Sequence, residues 1–265
     1  MKILKIFLFS TLIILAISCG QERKKYVKSP LDTIITAYID IQNYSVVLSD
    51  MDYKEDVDKY FHKYKVILEK PNITTESKED DFDVKLIGWI EVSPITFEEH
   101  QKDLGMTILS KKDGVLDRKS TPAGYNNYVG NNKYGNWQTQ NNGTSFWAFY
   151  GQYQFMSSLF YGSSYRYNRR DYNDYRTNHS GRSNYYGRNN TFGTSNYQSK
   201  SWSSKPASFK ENVRSRATKS SSALKSKGYS SSRSYSNATK TTRSNNRYSS
   251  SGSGSSRSRS GGFGK

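Results

Sequence analysis

The side chains best suited to acid–base or metal chemistry are few and lie far apart in the chain. There are three histidines, His62, His100 and His179. Metal sites built from His and Cys place their ligands at short, recurrent spacings, and no such spacing surrounds any of the three. We therefore predict surface or partly buried histidines, no metal and no cofactor.

Acidic residues gather in two short segments, Asp50 to Asp58 and Glu79 to Asp83. The first faintly resembles a calcium-binding loop, but Lys54 stands where an oxygen ligand belongs and no glycine provides the sharp turn. We predict that both segments are solvated loops.

Candidate catalytic carboxylates are present without a pattern that selects one pair. The sequence contains no nucleophile elbow and no phosphate-cradling glycine loop. An enzyme acting on a wall or carbohydrate polymer would need carboxylates such as Asp50, Asp52 or Glu91 in a cleft with aromatic residues. We keep such an enzyme as an alternative and predict no catalytic residues.

The most aromatic stretch, Thr121 to Gly162, separates two halves of opposite composition. Its first part is rich in Gly and Asn and predicts an ordered loop with many turns, fixed by aromatic side chains. Aromatic residues at helical spacing then predict a helix over about 144–161, with Thr144 as its N-cap. We expect this helix to close a core, and the alternative is a docking helix for a partner or a membrane surface. Exposed aromatic residues of the stretch would form a binding surface: Tyr125, Tyr128, Tyr134, Trp137, Trp147 and Tyr150.

The chain begins with the composition of a signal peptide. Two lysines precede the apolar run Ile6 to Ile17, and small residues follow it. The residues Leu15 to Cys19 resemble the lipobox of bacterial lipoproteins, in which the cysteine becomes the lipidated first residue of the mature chain. This resemblance implies a signal peptide over 1–18, a lipid on Cys19 and a tether over 19–28.

The same resemblance implies that the protein lies in the bacterial cell envelope, held to a membrane by its lipid. Gly20 does not resemble an inner-membrane retention signal, so the outer membrane is favoured. Cys19 is the single cysteine of the chain. Its lipidation would leave no disulfide, so the exported part must be stabilised by burial alone.

The segment 29–162 has the mixed pattern of a small α+β domain. Ser29-Pro30 is a typical helix start, and no repeated strand–helix–strand order indicates a parallel sheet. About 130 residues can bury a core of their own. The predicted elements are a helix from Pro30, a strand over 44–48, a helix or strand within 57–68, a strand over 84–92, a helix over 97–104 and a hairpin over 106–116.

The composition changes sharply after the aromatic stretch. Residues 151–265 contain 21 Lys and Arg against 3 acidic residues, whereas residues 1–150 contain 19 basic and 20 acidic residues. Aliphatic residues are scarce there, so residues 163–265 are predicted to be a long disordered basic tail, except that a weak helix over 209–224 could form on contact. Arginines interleaved with tyrosines could bind anions: Arg166, Arg169, Arg170 and Arg176.

Taken together, the segments resemble uncharacterised bacterial lipoproteins, a resemblance that transfers no activity. We predict a non-enzymatic envelope lipoprotein whose basic tail contacts anionic lipid, lipopolysaccharide or wall polymer. A protein partner on the aromatic surface is a further possibility. The alternatives are the polymer-acting enzyme and an extracellular nucleic-acid binder, and the predicted export makes nucleic acid the less favoured partner.

Overall fold

The computed structural model describes residues 25–70, 81–160 and 167–231. They form an α+β fold, as predicted. The predicted signal peptide, Cys19, Arg166 and residues 232–265 lie outside the described residues. The elements in chain order are β1 (Lys25–Tyr26), α1 (Pro30–Ala37), β2 (Tyr44–Lys54), β3 (Lys59–Glu69), β4 (Phe82–Val92), α2 (Pro94–His100), β5 (Met106–Lys112), β6 (Val115–Asp117), β7 (Thr121–Pro122), β8 (Gly135–Thr139), β9 (Ser145–Phe149), a 3-10 turn (Gly151–Tyr153), α3 (Phe155–Phe160), α4 (Arg169–Asp174), a π-helical turn (Tyr175–His179), α5 (Ala207–Ser226) and β10 (Tyr229–Ser230).

One antiparallel sheet organises the described chain. Its strand order is β4-β3-β2-β5-β6, with β7 paired to β5. The predicted strands over 44–48 and 84–92 are confirmed, and the ambiguous segment before residue 68 is strand β3 rather than a helix. Buried and less buried residues alternate along most of β3, as expected for a strand whose two faces differ.

Local signals located several boundaries correctly. The Ser29 side chain accepts a hydrogen bond from the Leu31 N–H and caps α1, whose first residue is Pro30. The predicted hairpin is present as β5 and β6. Its turn residues Asp113 and Gly114 have φ values of 49° and 81°, the left-handed conformation that a tight two-residue turn requires.

The two faces of the sheet bury different cores. On the first face, α1, α2 and α5 cover aliphatic and aromatic residues that include Tyr64 and Phe97. On the second face, a layer of loops, short helices and the β8–β9 hairpin covers Val47, Ile67 and Phe82. We call this second-face covering the aromatic layer, because tyrosine, tryptophan and phenylalanine supply most of its buried side chains.

The predicted helix over 144–161 is wrong in its first half. Residues 145–149 form strand β9, paired with β8 so that Trp147 lies opposite Trp137, and a helix exists only over 155–160. Thr144 therefore caps no helix. The aromatic run fits either period. Pairing with a second strand decides the outcome, because it satisfies the backbone groups that the two strands turn toward each other.

The prediction of disorder from residue 163 is wrong for residues 167–231. These residues contain α4, the π-helical turn and α5, and they bury Tyr167, Tyr172, Tyr175, Tyr185 and Trp202. The possible helix over 209–224 is confirmed within α5. Scarcity of aliphatic residues was misleading, because each buried aromatic ring removes as much apolar area from water as a large aliphatic side chain or more.

The predicted tether over 19–28 is also wrong at its described end. Lys25 and Tyr26 form β1, which pairs in parallel with Tyr229 and Ser230 of β10. The two ends of the described chain therefore lie side by side.

Candidate anion-binding surface

Most of the aromatic residues predicted to form a binding surface lie in the core. Tyr125, Tyr128, Tyr134 and Trp147 are between 0% and 3% exposed, so the interpretation of these four as surface residues is wrong. Trp137 is half-buried and Tyr150 is 37% exposed, so these two do reach solvent. The stretch is thus mainly a packing element, as its leading interpretation predicted.

Helix α4 is positioned on this layer by its own aromatic side. Asn168 caps the helix by accepting a hydrogen bond from the Arg170 N–H at 2.7 Å. Tyr172 packs against Trp137 and Tyr125, with ring centroids 5.4 and 5.3 Å away. The chain entering the helix is also paired, because the Trp147 N–H donates to the carbonyl of Tyr167 at 2.8 Å. These contacts position α4 on the aromatic layer and leave its basic side chains exposed.

Three arginines predicted as binding residues are exposed on this helix and the π-helical turn after it: Arg169, Arg170 and Arg176. The Arg169 guanidinium lies 5.9 Å from the centroid of Trp137. Burial raises the pKa of Tyr172, and the nearby positive charge of Arg176 opposes that rise. We call Trp137 with the three arginines the Arg–Trp surface. A guanidinium fork supported by an aromatic ring suits bidentate binding of phosphate or carboxylate.

The basic residues of α5 and the loop before it have a different role. Lys225 pairs with Glu98 at 2.8 Å, and Arg216 lies 3.8 Å from Asp58. Lys205, just before the helix, lies 3.2 Å from Asp52. Three of the eight basic residues in 200–231 therefore attach this segment to acidic residues of β2, of the β2–β3 turn and of α2.

By contrast, no ion pair between described residues includes Arg169, Arg170 or Arg176. The described residues 167–231 contain 13 basic and 3 acidic residues. Their folding therefore presents unpaired guanidinium groups on a fixed surface, rather than along a flexible tail.

The acidic segment Asp50 to Asp58 is a docking site for the later chain, so its prediction as a merely solvated loop is wrong. Asp50 is buried, and its carboxylate accepts hydrogen bonds from the backbone N–H groups of Ser201 at 2.9 Å and Trp202 at 3.1 Å. It also accepts from its neighbour Met51 at 2.9 Å. One carboxylate thus connects residues about 150 positions apart in sequence.

Replacing Asp50 with asparagine should lower the free energy of unfolding by about 1.5–3 kcal/mol, because an amide oxygen is a weaker acceptor and its NH2 group would face backbone donors. Urea denaturation followed by circular dichroism measures the change. Asp56→Asn is the matched control in the exposed turn and should change stability by less than about 0.5 kcal/mol. Equal effects of the two substitutions would contradict the docking role of Asp50.

Each of the carboxylates suggested for a polymer-acting enzyme is engaged by another group of the fold. The carboxylate of Asp50 accepts hydrogen bonds from backbone N–H groups, and that of Asp52 pairs with Lys205. Glu91 pairs with Lys59 at 2.7 Å on the exposed edge of the sheet. Nothing in this arrangement selects two of them as an acid–base pair.

The fold does bring two histidines together, which their sequence separation did not predict. The rings of His62 and His100 lie 6.4 Å apart between centroids. Burial, with a contribution from nearby His100, holds the pKa of His62 well below its ordinary value. His100 contacts the buried carboxylate of Asp103 at 2.8 Å, and Ser120 and Tyr186 also donate to that carboxylate. The His100-x-x-Asp103 spacing was the one sequence signal for this network.

Neither a metal-type cluster nor a membrane-spanning helix is present among the described residues. Within residues 25–70, 81–160 and 167–231, no group of three or more His, Cys, Asp and Glu side chains is arranged to hold a metal ion. None of the helices in those ranges combines the length and the apolar character needed to cross a membrane.

Among the described residues, the Arg–Trp surface is an arrangement of exposed side chains whose charge suits an anion. The chain matches no protein-family model, no curated protein and no solved structure.

Proposed function

We propose that the protein is a non-enzymatic lipoprotein of the bacterial cell envelope, anchored by a lipid on Cys19. The Arg–Trp surface contacts anionic groups of the membrane to which the lipid holds it. The observation that carries this proposal is the set of three exposed arginines on α4 and the π-helical turn after it, without a carboxylate partner in the described chain.

A lipid and a basic surface support each other energetically. The lipid confines the protein to the membrane surface, and a basic surface adds an electrostatic contact to that attachment. Each basic residue close to an anionic leaflet contributes about 1 kcal/mol, an interaction that salt screens. Once the lipid has brought the protein to the membrane, the encounter with headgroup phosphates is effectively intramolecular.

The folded state of residues 167–231 changes how this proposal is tested. Removing everything after residue 163 would take away buried residues such as Tyr167 and Trp202, so it would unfold the protein rather than remove a tail. A chain that ends at Ser231 keeps every described residue and removes only 232–265. It separates the folded basic surface from the remaining basic segment.

Sedimentation with vesicles tests the proposal directly. The chain from Gly20 to Lys265 and the chain from Gly20 to Ser231 should both bind vesicles containing anionic phospholipid and should both bind neutral vesicles much less. Binding should fall steeply as salt is raised, because counterions screen the arginines. Loss of all binding in the chain ending at Ser231 would contradict the Arg–Trp surface and would assign the contact to residues 232–265.

A further inference from the structure

A second exposed region lies where the aromatic layer ends. The layer covers only part of the second face of the sheet, and the remaining part of β3 and β4 carries large apolar side chains in solvent. Leu86 is 76% exposed and Trp89 is 37% exposed. We call Phe61, Leu86 and Trp89, with the neighbouring Lys54 and Lys63, the β4 patch.

The strand register places these residues on one side of the sheet. Leu86 lies opposite Lys65 and Glu91 lies opposite Phe61, so their side chains share a face. Between these pairs a β-bulge sets Gly88 and Trp89 against the single residue Lys63. A Cβ added to Gly88 would meet no atom within 4 Å, which shows that the surface above the bulge is open.

Lysines lie over the rings of the patch. The Lys63 Nζ lies 4.3 Å from the centroid of Trp89, and the Lys54 Nζ lies 5.0 Å from that of Phe61. Neither lysine is in an ion pair with another described residue. Apolar side chains therefore sit beside unpaired ammonium groups, the amphipathic arrangement that suits the boundary between acyl chains and phosphates.

We propose that the β4 patch inserts into the interface of an anionic lipid bilayer. Leu86 and Trp89 enter the acyl-chain boundary, while Lys54 and Lys63 remain at the level of the headgroup phosphates. This inference rests on the proposed function for bringing the protein to a membrane. It adds an apolar contact, which salt does not screen, to the electrostatic contact of the arginines.

An acidic lipid surface fits the patch for two reasons. The negative charge of the lipid surface complements the two unpaired lysines. The boundary between headgroups and acyl chains can also take up the projecting side chain of Leu86, which enters no pocket in the described chain. Tryptophan is enriched at membrane interfaces because its ring is amphipathic. Vesicles containing anionic phospholipid are therefore the probe.

The test compares the chain from Gly20 to Lys265 with its Leu86→Ser, Trp89→Ala double variant. The double variant should bind anionic vesicles roughly tenfold more weakly, since it loses two exposed apolar side chains. It should also lose the binding that persists at high salt. Val115→Ser is the matched control, because Val115 is 48% exposed on β6 at the opposite edge of the sheet. That variant should bind as the unchanged chain does.

Acyl chains labelled with bromine provide a second readout, because they quench tryptophan that enters the interface. The unchanged chain and Val115→Ser should be quenched, and Trp89→Phe should lose most of the quenching. Salt-sensitive binding without quenching, or equal binding by the double variant, would overturn the insertion of the patch while leaving the proposed function intact. Absence of any vesicle binding by the unchanged chain would overturn both.

Discussion

Replacing Trp202 with alanine should lower the free energy of unfolding by about 3–5 kcal/mol. The side chain is 1% exposed and packs against Phe97 and Phe209, with ring centroids 5.7 and 6.4 Å away. Its removal leaves a cavity between the sheet, α2 and α5. Since small domains are stable by only about 5–15 kcal/mol, a large part of the total stability would be lost.

Urea denaturation followed by far-ultraviolet circular dichroism measures this effect. Trp89→Ala is the matched control, because Trp89 is 37% exposed. This substitution should lower the free energy of unfolding by less than about 1 kcal/mol. Similar costs at the two positions would mean that residues 167–231 are not part of the cooperative core. A single transition in the unchanged chain supports the view that both halves unfold together.

Neutralising the three exposed arginines should weaken binding to anionic vesicles roughly a hundredfold. The variant is Arg169→Gln, Arg170→Gln, Arg176→Gln, and each substitution removes about 1 kcal/mol of attraction to the lipid surface. Glutamine is uncharged and shorter than arginine but has a similar helix preference, so α4 should remain folded. Sedimentation at low salt with vesicles of fixed composition measures the ratio.

The control variant removes the same charge elsewhere: Lys28→Gln, Lys70→Gln, Lys112→Gln. These lysines are exposed and lie outside the Arg–Trp surface. If net charge alone decided binding, both triple variants would lose the same affinity, and the localised surface would be refuted. If the Arg–Trp surface is the contact, the lysine variant should lose at most a few-fold.

Sequence reasoning succeeded where the structural signal is local. The Ser29 cap, Pro30 at the first helical position and the Asp113-Gly114 turn each determine conformation within a few residues. It failed at β9, because an aromatic run such as Ser145–Phe149 is compatible with a helix or a strand until its partner strand is known. Propensity over five residues cannot make that choice.

The second failure concerned tyrosine. A segment with few aliphatic residues was expected to bury too little area to fold, yet Tyr167, Tyr172, Tyr175 and Tyr185 pack around Tyr125. Aromatic residues bury large areas and form favourable edge-to-face contacts. Counting them as core formers would have predicted the folded state of this segment.

The sequence by itself determined the order of the segments, the concentration of positive charge after residue 150, the main caps and turns, and the α+β class. Only the tertiary structure decided which side chains meet. Asp50 accepts a hydrogen bond from the backbone N–H of Trp202, and Lys225 pairs with Glu98. The guanidinium of Arg169 lies over the ring of Trp137. The physical reason is that such contacts join positions with no periodic relation in the chain. An arginine or a tyrosine therefore packs in the core, joins two segments or stays exposed on the surface, according to which distant residue the fold places beside it.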